Sequence, residues 1–303
     1  MIKRQHLGAV LLVLIGATSY GLLSPVFKMA EADGWNVKSI TYLQVLSGTL
    51  LLWLIFAFKG SLQGLKIQPV TLLKLVITGI CGLSLTTVFY NQTLSRLDAS
   101  LSIVLLFQYA WITILLESLR LRRWPAGRQW LAVALIFAGT LFAAGLLERD
   151  PGRLDGWGII YGLLSAVTYG LFFFLSSYLP QTLEPIAKSA IMATASIVFI
   201  TAIQGAGSFA GSGSVPIYVW GVLLGILGTV VPTICFNSGI PRIGAGLSAL
   251  LGSLELPVAV LAAAVLLGEP LSWWQGAGIL LILAGILAAE RRQDSSPEDR
   301  PER

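Results

Sequence analysis

Ten long apolar runs, one after another, constrain this chain more than any other feature. They are Leu7–Ala30, Val37–Phe58, Pro69–Leu94, Ala99–Leu119, Arg128–Leu147, Gly156–Leu179, Ile186–Gly205, Val215–Phe236, Gly244–Leu267 and Trp273–Ala289. A helix needs about 20 mostly apolar residues to cross a bilayer. In hydrocarbon every backbone polar group must be satisfied within the protein, so runs of this length are read as spanning helices. Composition agrees: 12% of the 303 residues are charged, about half the share in a soluble domain. The predicted fold class is therefore an all-α integral membrane protein of ten transmembrane helices. Leu7–Phe27 is too long for the apolar stretch of a secretory signal, and a retained first helix is expected.

The chain also repeats itself. At a shift of 146 residues Gly79, Gly82, Thr87 and Asn91 fall on Gly225, Gly228, Thr233 and Asn237. Arg96, Ala99, Leu101 and Ser102 fall on Arg242, Ala245, Leu247 and Ser248. Gln129, Ala138, Gly139 and Leu141 fall on Gln275, Ala284, Gly285 and Leu287. At a shift of 149, Ala17, Tyr20 and Gly21 fall on Ala166, Tyr169 and Gly170. Spans 1–5 thus correspond to spans 6–10. Five is odd, so the second set must enter the membrane from the opposite side, giving two inverted five-helix repeats, an organisation shared by many secondary transporters. The expected division is a first repeat at 1–147, a linker at 148–155, a second repeat at 156–290 and a disordered cytoplasmic tail at 291–303, whose composition offers nothing to bury.

Charge sets the expected orientation. With the N-terminus inside, only Lys28, Lys38, Arg96, Arg149 and Arg153 of the 20 Lys and Arg lie outside. That bias places both termini in the cytoplasm of a multi-pass protein of the cell membrane. It also accounts for the net charge of +5 without nucleic acid as a partner. Cys81 and Cys235 lie inside apolar runs, where small core side chains are expected. With one histidine, His6, and no cluster of ligating residues, no metal is expected. No GxxxxGK[ST] phosphate loop occurs, so neither ATP nor another cofactor is expected.

The stretch IGAGLSALLGSLELPVAVLAAAVLLGEPLSWWQGAGILLILAGILAA, residues 243–289, carries a family resemblance. Small residues open span 9, Pro257 interrupts it, Leu267-Gly268-Glu269 closes it, and Gln275 and Gly276 lead into a Gly-rich span 10. The chain resembles the EamA-type members of the drug/metabolite transporter superfamily. Residues 97–144 are a weaker copy, with Leu121-Arg122-Arg123 in place of the LGE and Trp111 in place of Pro257. The resemblance implies ten helices, alternating access between half-bundles, and a central cavity lined by spans 1, 3, 4, 6, 8 and 9. It implies a secondary transporter moving a small metabolite, with export of an amino acid or related compound expected first. A flippase for a lipid or lipid-linked metabolite is the alternative. A membrane-embedded enzyme is the remote one, because no nucleophile–base pair, paired carboxylates or metal set lies within the spans.

Glu255 is the residue most at odds with its surroundings. An acid at mid-membrane costs a few kcal/mol, about 2.5–3.5 for Asp on insertion scales, and marks a functional site by default. Three roles are open to it: binding a cationic or amino group, coupling protons to transport, or serving as a protonated structural group beside Pro257. Ser248, Glu255 and Ala259 share a face of a regular helix, as do their counterparts Ser102, Tyr109 and Thr113. The other candidates for substrate binding or translocation are Tyr20 and Tyr169, Thr87 and Asn91, and Thr233 and Asn237. For each of these, packing or helix-to-helix hydrogen bonding is the competing role. Expected partners are a small-molecule substrate, the bilayer and protons, with a monomer as the functional unit.

Overall fold

The computed structural model describes residues 2–59, 67–94, 96–97, 99–145, 155–204 and 215–290. Most of the expected linker, the Gly- and Ser-rich sequence 205–214 and the expected C-terminal tail lie outside these residues. Every regular element among the described residues is helical. In order these are α1 (Ile2–Ala32), α2 (Val37–Lys59), α3 (Pro69–Gly79), α4 (Thr86–Leu94), α5 (Ala99–Leu106), α6 (Tyr109–Leu121) and α7 (Gly127–Ala143). There follow α8 (Gly156–Ser177), α9 (Pro185–Gln204), α10 (Val215–Gly225), α11 (Val231–Ile243), α12 (Ala245–Gly252), α13 (Glu255–Leu267) and α14 (Trp273–Glu290).

These segments assemble into nine helical stretches, among the described residues, long and apolar enough to cross a membrane. Expected span 5 corresponds to the shorter apolar helix α7. The outer surface is apolar: Phe58 is 82% exposed, Leu119 74% and Val265 82%. That is the pattern of a surface facing hydrocarbon. The interior instead holds many Ser and Thr hydroxyls that donate to a carbonyl of their own helix, as Thr49, Thr78 and Thr140 do. Polar groups sit inside because the lipid outside offers them nothing.

The repeat is visible in the backbone. A π-helical stretch at Ile80–Leu85 joins α3 to α4, and one at Ile226–Val230 joins α10 to α11, at equivalent positions under the shift of 146. A break at Phe107–Gln108 separates α5 from α6, and a break at Ser253–Leu254 separates α12 from α13, again at equivalent positions. Gln129 and Gln275 also match in action. Gln129 Oε1 accepts from Ala126 N at 2.9 Å, and Gln275 Oε1 from Ser272 N at 3.0 Å, each closing the first turn of its helix.

α7 and α14 form a close pair. A Cβ on Gly139 would lie 2.7 Å from both Gly278 O and Ile282 Cγ1, and a Cβ on its counterpart Gly285 2.8 Å from Ile136 Cγ1. Small residues here let two backbones meet, the usual way helices associate in membranes. At the helix ends Lys28 pairs with Glu269 at 3.1 Å and Arg96 with Asp155 at 3.1 Å. Asp155 also accepts from Trp157 N, capping α8. The hydrogen bond from Arg96 holds the Asp155 carboxyl below the usual carboxylate range. Lys188, which the charge pattern assigns to the inner face, is instead buried at 1% exposure.

Gly139→Ala forces the α7–α14 backbones apart and costs about 1–3 kcal/mol, the usual penalty of overpacking. Gly8→Ala, whose Cβ meets nothing within 4 Å, is the matched neutral change. Thermal unfolding of both variants in detergent checks the difference.

Candidate functional site

Breaking a helix inside a membrane frees carbonyls that need donors, and the two breaks are repaired differently. At the first, Gln108 N bonds to Leu105 O at 3.2 Å in a tightened turn, which leaves Val104 O free. The Gln108 side chain donates to that oxygen at 2.8 Å, and Trp111 Nε1 holds the amide by donating to its Oε1 at 2.8 Å. At the second, Ser253 N bonds to Leu250 O at 3.2 Å, leaving Ala249 O free. Tyr109, the first residue of α6, donates its hydroxyl to Ala249 O at 3.2 Å. One break is therefore closed by its own residue; at the other Ser253 Oγ approaches Ala249 O at 3.5 Å, and the shorter bond comes from a residue 140 positions away. Gly252 makes room: a Cβ there would lie 2.8 Å from the Tyr109 hydroxyl and 3.0 Å from Phe173 Cζ.

Glu255 opens α13 immediately after the second break. The break falls between Ser248 and Glu255, so the regular-helix face expected to carry both is interrupted. Ser248 donates to its own helix at Gly244 O, 2.6 Å away. In the equivalent segment Thr113 donates to Tyr109 O at 2.7 Å and to Gly170 O at 3.4 Å, joining α6 to α8.

Around the Glu255 carboxylate stand four tyrosines from four spans. Tyr20 (α1), Tyr90 (α4), Tyr109 (α6) and Tyr169 (α8) all lie within electrostatic reach of it. The Tyr169 hydroxyl is 3.5 Å from Oε2, a long contact. Glu255, Tyr20 and Tyr90 are half-buried and keep accessible surface, whereas Tyr109 and Tyr169 are buried. Behind them the rings form one packed body. Tyr109 and Tyr169 have centroids 4.6 Å apart, Tyr109 stacks on Phe173 at 5.4 Å, and Phe236 lies 5.9 Å from Tyr20 and 5.5 Å from Phe173. Gly21 lets α1 reach this centre: a Cβ there would lie 2.6 Å from Glu255 O.

The matched pairs Thr87–Asn91 and Thr233–Asn237 take unlike surroundings. Thr87 donates to Leu83 O at 3.0 Å, and both Thr87 and Asn91 are half-buried. Thr233 is fully buried and donates to Thr229 O at 2.5 Å. Asn237 is buried and donates to Ser189 Oγ at 2.9 Å, while its Oδ1 has no hydrogen-bond partner among the described residues. Thus Tyr20, Tyr109, Tyr169 and Glu255 come together, and Asn237 joins α11 to α9.

Four side chains with defined contacts escape a reading of the sequence: Gln108, Tyr90, Glu117 and Lys188. Glu117, near the end of α6, accepts from Ala245 N at 3.0 Å and Gly246 N at 2.9 Å, capping α12 with both oxygens. Lys188 donates to Asn237 O at 3.0 Å, the carbonyl that Pro241 would serve if it had an N–H, and to Pro180 O at 3.4 Å. Only Glu117 carried a signal, as an acid near the end of an apolar run.

A tandem of broken helices around a half-buried carboxylate can be compared with known proteins. The model of the EamA-like transporter family matches twice, over residues 7–145 and 156–289. The chain belongs to the EamA-like transporter family. It is similar to an uncharacterized transporter of Bacillus subtilis (strain 168), 23% identical over 292 residues, which cover 93% of this chain and 94% of the relative. An uncharacterized protein of Pseudomonas aeruginosa is 29% identical over 94% of this chain and 93% of its own length. An uncharacterized transporter of Archaeoglobus fulgidus is 26% identical over 89% and 93%. One solved crystal structure shares the fold with a TM-score of 0.75 at 17% identity, over 95% of this chain and 99% of that one. This EamA-like protein is accordingly a multi-pass transporter of the cell membrane with a two-repeat architecture and a small-molecule substrate.

Tyr109→Phe removes the shorter of the two donors to Ala249 O and leaves the 3.5 Å approach of Ser253 Oγ, which costs about 0.5–1.5 kcal/mol, the net worth of one hydrogen bond. Hydrogen exchange checks the site of the loss: protection falls around 249–254 and stays unchanged in α7 and α14.

Proposed function

We propose that this EamA-like protein is a secondary transporter that exports a small metabolite carrying a cationic nitrogen, an amino acid or related amine. Glu255 receives that nitrogen. The reading rests on one observation: the Glu255 carboxylate stays half-buried at the edge of an aromatic cluster, and among the described residues its one hydrogen-bond contact is the 3.5 Å approach of Tyr169. A carboxylate with spare acceptor capacity in an apolar interior attracts a cation strongly, because low dielectric magnifies the interaction. The tyrosine and phenylalanine rings add faces on which a cationic or apolar group can rest.

In this reading the two halves, 1–147 and 156–290 with the linker 148–155 between them, have opposite orientations and alternate access to the centre. Both termini and the tail 291–303 are cytoplasmic, and one chain is the functional unit. Tyr20 and Tyr169 flank the ligand from equivalent positions of the two halves, and Tyr109 holds the broken helix that presents Glu255. Asn91 and Thr87 line the path on the more accessible side. Asn237 and Thr233 hold the opposite wall. Protons are the coupling ion: Glu255 takes up a proton when the ligand leaves and gives it up when the next one binds.

Reconstitution in liposomes under a proton gradient, with labelled amino acids and amines, tests this. Glu255→Gln lowers transport of cationic substrates at least about tenfold, the equivalent of losing one charged contact, and abolishes its pH dependence. Transport by the variant that equals wild type at every pH removes Glu255 from the mechanism. If wild type moves no soluble compound yet equilibrates labelled lipid between leaflets, the flippase alternative takes its place.

A further inference from the structure

We propose that a groove between α2, α3 and α9 is a binding site for one acyl chain of a membrane lipid. Trp53 of α2 forms one wall, Leu72, Val76 and Ile80 of α3 and its π-helical continuation another, and Ile191 to Ala202 of α9 the third. The cavity measures about 480 Å³. α2 and α3 belong to the first family match and α9 to the second, so the groove is a seam between the repeats. It opens outward: Trp53 is 38% exposed, Leu72 44% and Val198 63%. All three helices lie within membrane-crossing stretches.

The lining selects the ligand. Its walls are carbon except for two polar groups, and these are closed on the protein. Trp53 Nε1 donates to Thr194 Oγ1 at 2.9 Å, and Thr194 donates to Ala190 O at 2.8 Å. A head group, a peptide backbone or an amphipathic metabolite would find no hydrogen-bond partner there. An indole within the hydrocarbon depth rather than at the interface is tolerated because its N–H is used. Behind the groove Ser84 donates to Ser196 Oγ at 2.8 Å, closing the seam with another internal hydrogen bond.

The length of the groove suits one acyl chain. The lining positions of α9 run from Ile191 to Ala202, about 16 Å at 1.5 Å per residue. The hydrocarbon core is about 30 Å thick, so this is the depth of one leaflet. One polymethylene chain spans that depth, and the bilayer supplies such chains on every side. The site does not depend on the substrate assigned above.

The chain extracted from its native membrane in mild detergent is expected to retain a phospholipid-mass adduct in native mass spectrometry. Ala195→Trp and Ala202→Trp, which fill the groove, cut that adduct at least about tenfold, while Leu280→Trp on the outer face of α14 leaves it unchanged. A phospholipid with a photoactivatable diazirine in its acyl chain, in vesicles with the wild-type chain, labels 191–202 and 72–80 above every other outward face. That arm needs no variant to fold, and neither arm measures transport, so failure here leaves the transport reading standing. Equal adducts in all variants, an adduct of detergent alone, or label spread evenly over the outer faces overturns the site.

Discussion

Backbone carbonyls freed inside hydrocarbon must find donors within the protein, and the centre of this transporter is organised by where those donors come from. Four such carbonyls are on view. Val104 O is taken by Gln108 of its own span, and Ala249 O by Tyr109 of another. Leu227 O is left over because Val231 N bonds back to Ile226 O in the π-helical register and Pro232 has no N–H; Ser19 of α1 donates to it at 2.7 Å. Asn237 O is freed by Pro241 and taken by the Lys188 ammonium. Each orphan would cost about 1–3 kcal/mol. Three of the four donors come from another span, so each of those three irregularities fixes the position of a second helix.

The two repeats share the irregularities and differ in the repairs, and that difference is chemically productive. Tyr109 and Glu255 occupy equivalent positions, each the first helical residue after its break. Tyr109 spends its one donor on the opposite break. The first break already has Gln108, so Glu255 is not needed there, and a carboxylate has no N–H or O–H to give a carbonyl when ionised. It remains half-buried with a long contact to Tyr169. A symmetric pair of repairs would have left no free polar group at the centre.

Much of this was legible in the sequence, for identifiable reasons. Hydrocarbon permits few structures, so ten apolar runs fixed the helical class and most boundaries. The exceptions are the first span, whose helix begins at Ile2, the fifth, where the described helix is Gly127–Ala143, and the eighth, which runs on past Phe236 to Ile243. Glu255 stood out because an acid in such a run is costly. Gln108 did not, since an amide in a membrane helix is ordinary until the carbonyl it serves is known. Lys188 looked like one more flanking cation; its burial depends on Pro241, 53 positions later in the chain. Thr87 and Asn91 read as copies of Thr233 and Asn237, and their different surroundings follow from Ser189 and Met192, which approach Asn237 from α9. Sequence patterns report periodicity and cost. They do not report which distant group answers a local defect.

The same accounting ranks the ties along span 9. At its start the Glu117 carboxylate accepts two backbone N–H groups of α12, charge-assisted bonds reinforced by the helix dipole. In its middle Tyr109 holds Ala249 O. Past its end Glu269 meets Lys28 of α1 with side chains 51% and 52% exposed, and such a pair contributes about 0–1 kcal/mol. Residues 28, 109 and 117 fall in the first family match and 245–269 in the second, so all three ties join the repeats. Their strengths are unequal because the Tyr109 tie is buried, the Glu117 tie is partly buried with two charge-assisted bonds, and the last is half-exposed. Separation of the repeats therefore costs least beside Glu269 and most beside Glu117, and the break at Ser253–Leu254 lies between the two.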